Sequence, residues 1–325
     1  MKYELKDWKI AGFILSIAIF ALLFYLIDFR EALEAFKNVR PLELTIVFIL
    51  NFVVILFKSL RWQILLTPKP GLFVLYLTNL VGFMANTILP ARAGEVVRAL
   101  LLGKKENISK TTVLGSAALD RIFEGIGMLI LLVIMPLIME TPDWMKKGTF
   151  GFIVFFSIVF TLIILLMKLR PETAIKYIPL SDRTNEIIKG IFEKLQKGFE
   201  AINNFKTSTL ATLLSLCGWV VQIFMIYFVI LSFGIHLTPL AALLTLLAVN
   251  IAIMIPAAPG SLGTFELSVV LALGFFNIEK SIALSIALTY HFIQLIPVTI
   301  AGVISIPLLG MKFRDIDTDI SQNPQ

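Results

Sequence analysis

Two short stretches of a largely apolar chain carry charged side chains, and helix-breaking residues frame both. In the first, Pro90 and Gly94 bracket Arg92 and are followed by Glu95 and Arg98, with Asn86 just upstream. In the second, Pro256, Pro259, Gly260 and Gly263 precede Glu266. Arg92 with Glu95, and Glu95 with Arg98, stand at i, i+3 spacing and so neighbour one another on one helical face. Two guanidinium groups and one carboxylate leave a positive balance beside the freed N–H groups of a helix N-terminus. That combination favours an anion, and the bidentate fork of Arg suits phosphate. The same charges also fit an interfacial turn whose side chains snorkel to water.

A third group, Asp120, Arg121 and Glu124, lies inside the apolar run 111–138. Ionisable side chains at membrane depth are costly and face a cavity or each other. Arg121 and Glu124 are spaced to pair, with Asp120 on an adjacent face. The set fits a structural ion pair between helices, and equally a headgroup or proton site. Glu266 fits a proton acceptor, a cation site or a partner for Arg121. His291, in Tyr290-His291-x-x-Gln294, is the side-chain type that titrates near neutral pH. Lys58 and Arg61, with Trp62, read as a membrane anchor closing a span.

The elements that must position these groups follow from composition. Of 325 residues, 58% are hydrophobic and 15% charged, against about 45–50% and about 25% in soluble domains. Too few polar side chains remain to cover a water-facing globule, so the expectation is an all-α, polytopic integral membrane protein forming a single membrane domain. The net charge of +6 then reads as topology signal and anionic-headgroup contact, not as nucleic-acid binding. One Cys and two His argue against a disulfide framework, a thiolate cluster or a His-built zinc site. No phosphate-binding Gly-rich loop, nucleophile elbow or metal-ligand spacing is present. The chain therefore reads as a non-enzyme without a cofactor, whose partners are membrane lipids and, in a rival reading, a lipid-modifying enzyme or glycosyltransferase.

Eight apolar segments stand out, at about 10–27, 42–57, 71–89, 111–138, 149–167, 208–233, 239–256 and 281–309. The first lacks a small-residue cleavage site and is expected to stay as a span. Residues 28–40 and the stretch NEIIKGIFEKLQKGFEAI within 168–206 read as amphipathic helices, and 312–325 as a polar tail. Strict alternation through eight spans would leave the basic 168–206 loop outside, against the positive-inside tendency. Six full spans plus two re-entrant hairpins, 71–104 and 239–276, keep the basic loops and both termini in the cytoplasm. The hairpins resemble each other: Pro90-x-x-x-Gly94 and Pro259-x-x-x-Gly263 both continue to Leu-Gly, then Asn-Ile, then a polar pair, Asp120-Arg121 or Tyr290-His291. This predicts two repeats, about 1–148 and 149–311, inverted because each holds an odd number of spans. Inverted repeats with broken helices place a polar cavity at their interface.

The run NTILPARAGEVVRALLLGKKENISKTTVLGSAALDRIFE, with PGSLGTFELSVVLALG and TYHFIQLIPVTIAG, resembles the flippase-like membrane domain of the lysylphosphatidylglycerol synthase family over nearly the whole chain. The matching motif residues are Asn86, Pro90, Arg92, Gly94, Glu95, Arg98, Asp120 and Arg121, then Pro259, Gly260, Gly263 and Glu266. The resemblance implies a lipid-flipping membrane domain of the cytoplasmic membrane. The chain ends at Gln325 without the soluble synthase half, so aminoacyl transfer is not implied. Where the family pattern has Tyr-Arg, this chain has Tyr290-His291. A second fixed cation is thus replaced by a titratable group, and the lysyl-lipid substrate does not carry over. The function implied is movement of an anionic or zwitterionic lipid headgroup; transport of a small soluble anion is the rival.

Overall fold

The computed structural model describes residues 34, 37, 39–88, 93–168, 182–254 and 259–311. The expected span 10–27, most of 28–40, the residues Pro90, Arg92 and Pro256, and the tail 312–325 lie outside the described residues.

Among the described residues all regular structure is helical. The order is α1 (Pro41–Leu65), α2 (Leu72–Ile88), α3 (Gly94–Glu106), α4 (Lys110–Ile138), α5 (Asp143–Lys168), α6 (Asp182–Phe199), α7 (Phe205–Ser232), α8 (Pro239–Ala252), α9 (Thr264–Gly274) and α10 (Lys280–Leu308). Five of these are long and apolar enough to cross a membrane: α1, α4, α5, α7 and α10. Pro41 and Pro239 open α1 and α8 at a position where the missing N–H has no helical acceptor anyway. Segments 71–104 and 239–276 each fold as a pair of shorter helices, α2–α3 and α8–α9, meeting at the Pro/Gly breaks.

The first pair is a hairpin closed at its tip by Asn86, whose side-chain oxygen accepts the Gly94 N–H at 2.8 Å. Gly94 sits so close to Gly82 and Asn86 that a Cβ would overlap the Gly82 carbonyl. Both second helices end in the same way. Asn107 and Asn277 adopt left-handed φ of 56° and 59°, and the following Ile108 and Ile278 bond back to Gly103 and Leu273. The repeated Asn-Ile dipeptide thus encodes a repeated C-cap, since Asn tolerates the left-handed region better than other non-Gly residues.

The succession long, short, short, long occurs twice, as α1–α4 and α7–α10. The helices that open the two successions pack antiparallel. The Arg40 N–H bonds to the Ser232 carbonyl at 2.9 Å near one end, and Arg61 Nη1 to Ser215 Oγ at 3.1 Å towards the other. α1 runs to Leu65, eight residues past the hydropathy break at 57, because Lys58 and Arg61 stay helical and turn inward. α6 crosses α4 at a Gly198–Gly115 contact where a Cβ on Gly198 would lie 2.6 Å from the Thr112 carbonyl. A single large apolar cluster joins α1, α4 and α7 to α10, with Val54, Leu132, Trp219, Leu244, Val269 and Ile286 among its members.

α10 presses on α2 at Gly302, where a Cβ would meet Leu80 O at 2.7 Å. Overpacking of this kind costs about 1–3 kcal/mol. Gly302→Ala is therefore expected to lower the thermal unfolding midpoint of the detergent-purified protein. Gly274→Ala, which faces open space, should leave it near wild type. Equal midpoints would refute the close α2–α10 approach.

Candidate functional site

The charged residues assemble around Asp120, which is 1% exposed and lies between two guanidinium groups from different helices. Arg61 of α1 donates from Nε to Oδ1 at 2.6 Å, and Arg98 of α3 from Nη2 to Oδ2 at 3.1 Å. Arg98 also pairs with Glu95 at 2.6 Å and donates to Asn79 Oδ1 at 2.7 Å. Its guanidinium lies 4.4 Å from the Trp62 ring centroid, a cation–π arrangement. On the neighbouring face of α4, Arg121 bridges Glu95 and Glu124, and Glu124 also pairs with Lys58. Trp219 of α7 donates to the Glu124 carbonyl at 3.0 Å. Four cations (Lys58, Arg61, Arg98, Arg121) thus meet three carboxylates (Glu95, Asp120, Glu124), a formal balance of one positive charge among the described residues.

Lys58, Arg61 and Trp62 are not the anchor that their position suggested. Arg61 is 3% exposed and Trp62 fully buried; both face the interior, and Trp62 donates to Ser116 at 3.1 Å. The signal that marked them was the resumption of apolar residues after Arg61, Trp-Gln-Ile-Leu-Leu, which keeps the charges inside a span. Asn79, Ser215 and Trp219 were also missed, since neutral polar residues in apolar helices are common and carry no spacing signature.

Of the other expected site residues, Asn86 caps the hairpin tip and holds its amide 3.5 Å from Glu95. Glu266, Tyr290 and His291 form a separate set. Glu266 is fully buried and pairs with His291, Oε1 to Nδ1 at 2.6 Å. This corrects the reading of Glu266 as a partner of Arg121. The Tyr290 hydroxyl accepts from Gln294 at 2.7 Å, while Gly260 and Gly263 supply the left-handed turns of the second break, at φ 71° and 89°.

The open polar cavity that the hairpins suggested is also corrected: the charges are packed against each other. The void beside Lys58, Arg61, Glu124 and Gln222 measures about 10 Å³, near the least that holds one water. Arg61 Nη2 borders it without a hydrogen-bond acceptor, and the Glu124 carboxylate lies 3.7 Å away. Arg121, with its side chain 36% exposed, is the open edge of the network. A separate cavity of about 250 Å³, walled by Leu132, Met135, Pro136, Met145 and Phe150 with Lys146, lies between α4 and α5.

Comparison with known proteins places the chain. Residues 9–302 match the family described as the lysylphosphatidylglycerol synthase TM region. The chain belongs to that family. Curated relatives include a UPF0104 membrane protein of Methanothermobacter thermautotrophicus, 26% identical over 80% of this chain and 81% of the relative. Two others come from Methanocaldococcus jannaschii, one 28% identical over 67% of this chain and 91% of its own length, the other 23% identical over 98% of both. No solved structure matches the chain. This member of the lysylphosphatidylglycerol synthase TM region family is a multi-pass membrane protein.

Within this family member Asp120 holds two buried cations. Removing one partner of a buried pair costs about 3–5 kcal/mol, because the remaining charge is left uncompensated. Asp120→Ala is expected to destabilise the protein by that order in thermal unfolding, and Asp120→Ala with Arg61→Leu by less than the single change. A double variant no better than Asp120→Ala would refute the Asp120–Arg61 coupling.

Proposed function

We propose that this protein moves the headgroup of an anionic or zwitterionic lipid across the cytoplasmic membrane, with the charge network at the first break as the headgroup site. The observation that carries this reading is the balance of that network: four cations against three carboxylates, buried in a multi-pass chain and open at Arg121. One phosphodiester brings the sum to zero. Arg121 and Lys58 would take the phosphate as Glu124 and Glu95 release them, and Arg61 Nη2 has a donor to spare. Arg98 and Asp120 stay paired as the fixed floor.

A lipid is favoured over a soluble anion by the apolar cavity on the same helix. Leu132 lies eight residues beyond Glu124 on α4, about 12 Å along the axis, so a tail would rest against Leu132, Met135 and Phe150 while its headgroup meets the charges. The family resemblance points the same way. In this reading α2–α3 and α8–α9 are re-entrant hairpins of two inverted repeats, about 1–148 and 149–311, with both termini cytoplasmic. No nucleotide-binding motif stands in the sequence, so an ion gradient or the lipid gradient itself would drive the step.

The test is translocation of fluorescent phospholipid and polyprenyl-phosphate probes in proteoliposomes, comparing wild type with Arg121→Gln. Loss of one charge-assisted contact worth about 1.5–3 kcal/mol should slow translocation by about tenfold or more, with the variant still monodisperse on gel filtration. Equal rates would discard the site. Uptake of a soluble phosphate ester with no lipid movement would transfer the reading to a solute carrier.

A further inference from the structure

The second break holds a chemical group that the charge network does not use. His291 presents both ring nitrogens to acceptors. Nε2 lies 2.9 Å from the Gly260 carbonyl oxygen, which can only accept, so Nε2 carries a hydrogen. Nδ1 lies 2.6 Å from Glu266 Oε1, too close for two facing lone pairs. One proton therefore sits between them, on the ring or on the carboxyl, and either assignment makes the pair neutral. The other carboxyl oxygen accepts the Gly263 N–H at 2.6 Å. Phe265 stacks on the imidazole, with centroids 4.0 Å apart and planes at 17°. Glu266 is 0% and His291 3% exposed, so water offers no replacement proton donor and an unpaired charge would be uncompensated.

Other charged groups on the packed elements are paired elsewhere or exposed. On α1, Lys58 and Arg61 serve Glu124 and Asp120, and Glu43 pairs with Arg40. Tyr76 of α2 donates to the Phe52 carbonyl, Tyr290 accepts from Gln294, and Lys206 of α7 is exposed at its first turn. Among the described residues, Glu266 is the ionisable group that touches the ring.

The pair grips both sides of a strained loop. Gly260, Ser261 and Gly263 all have left-handed φ, at 71°, 59° and 89°, and for Ser261 this is an uncommon, costly conformation. His291 holds the Gly260 carbonyl and Glu266 holds the Gly263 amide, so the loop is fastened to α10 through one shared proton. We propose that Glu266–His291 is a proton-binding site whose proton latches the 260–263 loop shut, and that giving up the proton opens this loop to water. It rests on the transport reading only in making the proton the coupling ion.

The sign follows from proton counting. Closed, the pair holds one proton beyond the deprotonated form. Opened to water, an imidazole keeps its proton below about pH 6.5 and a carboxyl below about pH 4.3. Between those values the opened pair also holds one proton and opening is indifferent to pH. Above about pH 6.5 opening releases a proton and gains up to about tenfold per pH unit, the slope of a one-proton linkage.

The experiment is maleimide labelling of Ser261→Cys in a Cys217→Ser background, full chain in lipid nanodiscs without added substrate, each rate divided by that of a free thiol at the same pH. The expected rate is flat between about pH 4.3 and 6.5 and rises up to about tenfold per unit above about pH 6.5. Glu266→Gln, whose amide donates to Nδ1 without titrating, should label slowly at every pH. A normalised parent rate that does not rise, or an equal rise in Glu266→Gln, overturns the proposal. Should Glu266→Gln not be monodisperse, the parent profile alone decides. No lipid probe enters this test, so a failed translocation assay and a failed latch are told apart.

Discussion

A carboxylate in a low-dielectric interior must find its counter-charges within the protein, and Asp120 finds two. Arg61 and Arg98 reach it from different helices, at 2.6 and 3.1 Å, and each then needs its own remaining donors satisfied. Those needs propagate outward. Arg98 draws in Asn79 of α2, which in turn donates to Ser59 of α1; Arg61 draws in Ser215 of α7. The facing angles of α1, α2, α3, α4 and α7 are thus set by one buried acid. Such a network need not add stability, since apolar residues of similar volume often serve as well. Its persistence in an apolar interior is easier to understand as a site than as glue.

The two breaks place a carboxylate and a base in the same relation while choosing different chemistry. After the first, Glu95 at the start of α3 pairs with Arg121 on the next long helix; after the second, Glu266 at the start of α9 pairs with His291 on the next long helix. The first pair is charged at any physiological pH and has a partly exposed edge. The second is sealed and shares one hydrogen bond between ring and carboxyl. A fixed cation suits a substrate that must always be attracted, whereas a titratable base suits an event that must be reversible. His291, standing where the family resemblance implies Arg, would on the proposed reading give the second break a different task.

The sequence was legible where periodicity and punctuation carried the information. Apolar runs located α4, α5, α7 and α10 to within a turn or two, and Pro90, Gly94, Pro259 and Gly263 marked the breaks. The repeated Asn-Ile proved to be a shared cap at Asn107 and Asn277. Local spacing also paired Arg121 with Glu124 and Glu95 with Arg98. What it missed was non-local: Arg61 meets Asp120 across 59 positions and Ser215 across 154, and nothing near Arg61 names either partner. Charge was read as an end to the span at 57, when Lys58 and Arg61 are charges the fold had brought inside.

The two successions of helices are alike in order but not in closeness, and that difference bears on how a lipid would reach the charges. α10 lies tight against α2 through Gly302, whereas its counterpart contact, α4 with α8, is slight. α5 stands beside this looser side, touching α4 and α8 in turn, and the apolar cavity opens between α4 and α5. Under the proposed function, a tight seam on one side and a loose one on the other would direct entry: an acyl chain would part apolar side chains at little cost, while the headgroup, drawn toward Arg121, would have about two turns of α4 to travel. In the proposed cycle the charge network would hold the head and the latch would control when the 260–263 loop yields.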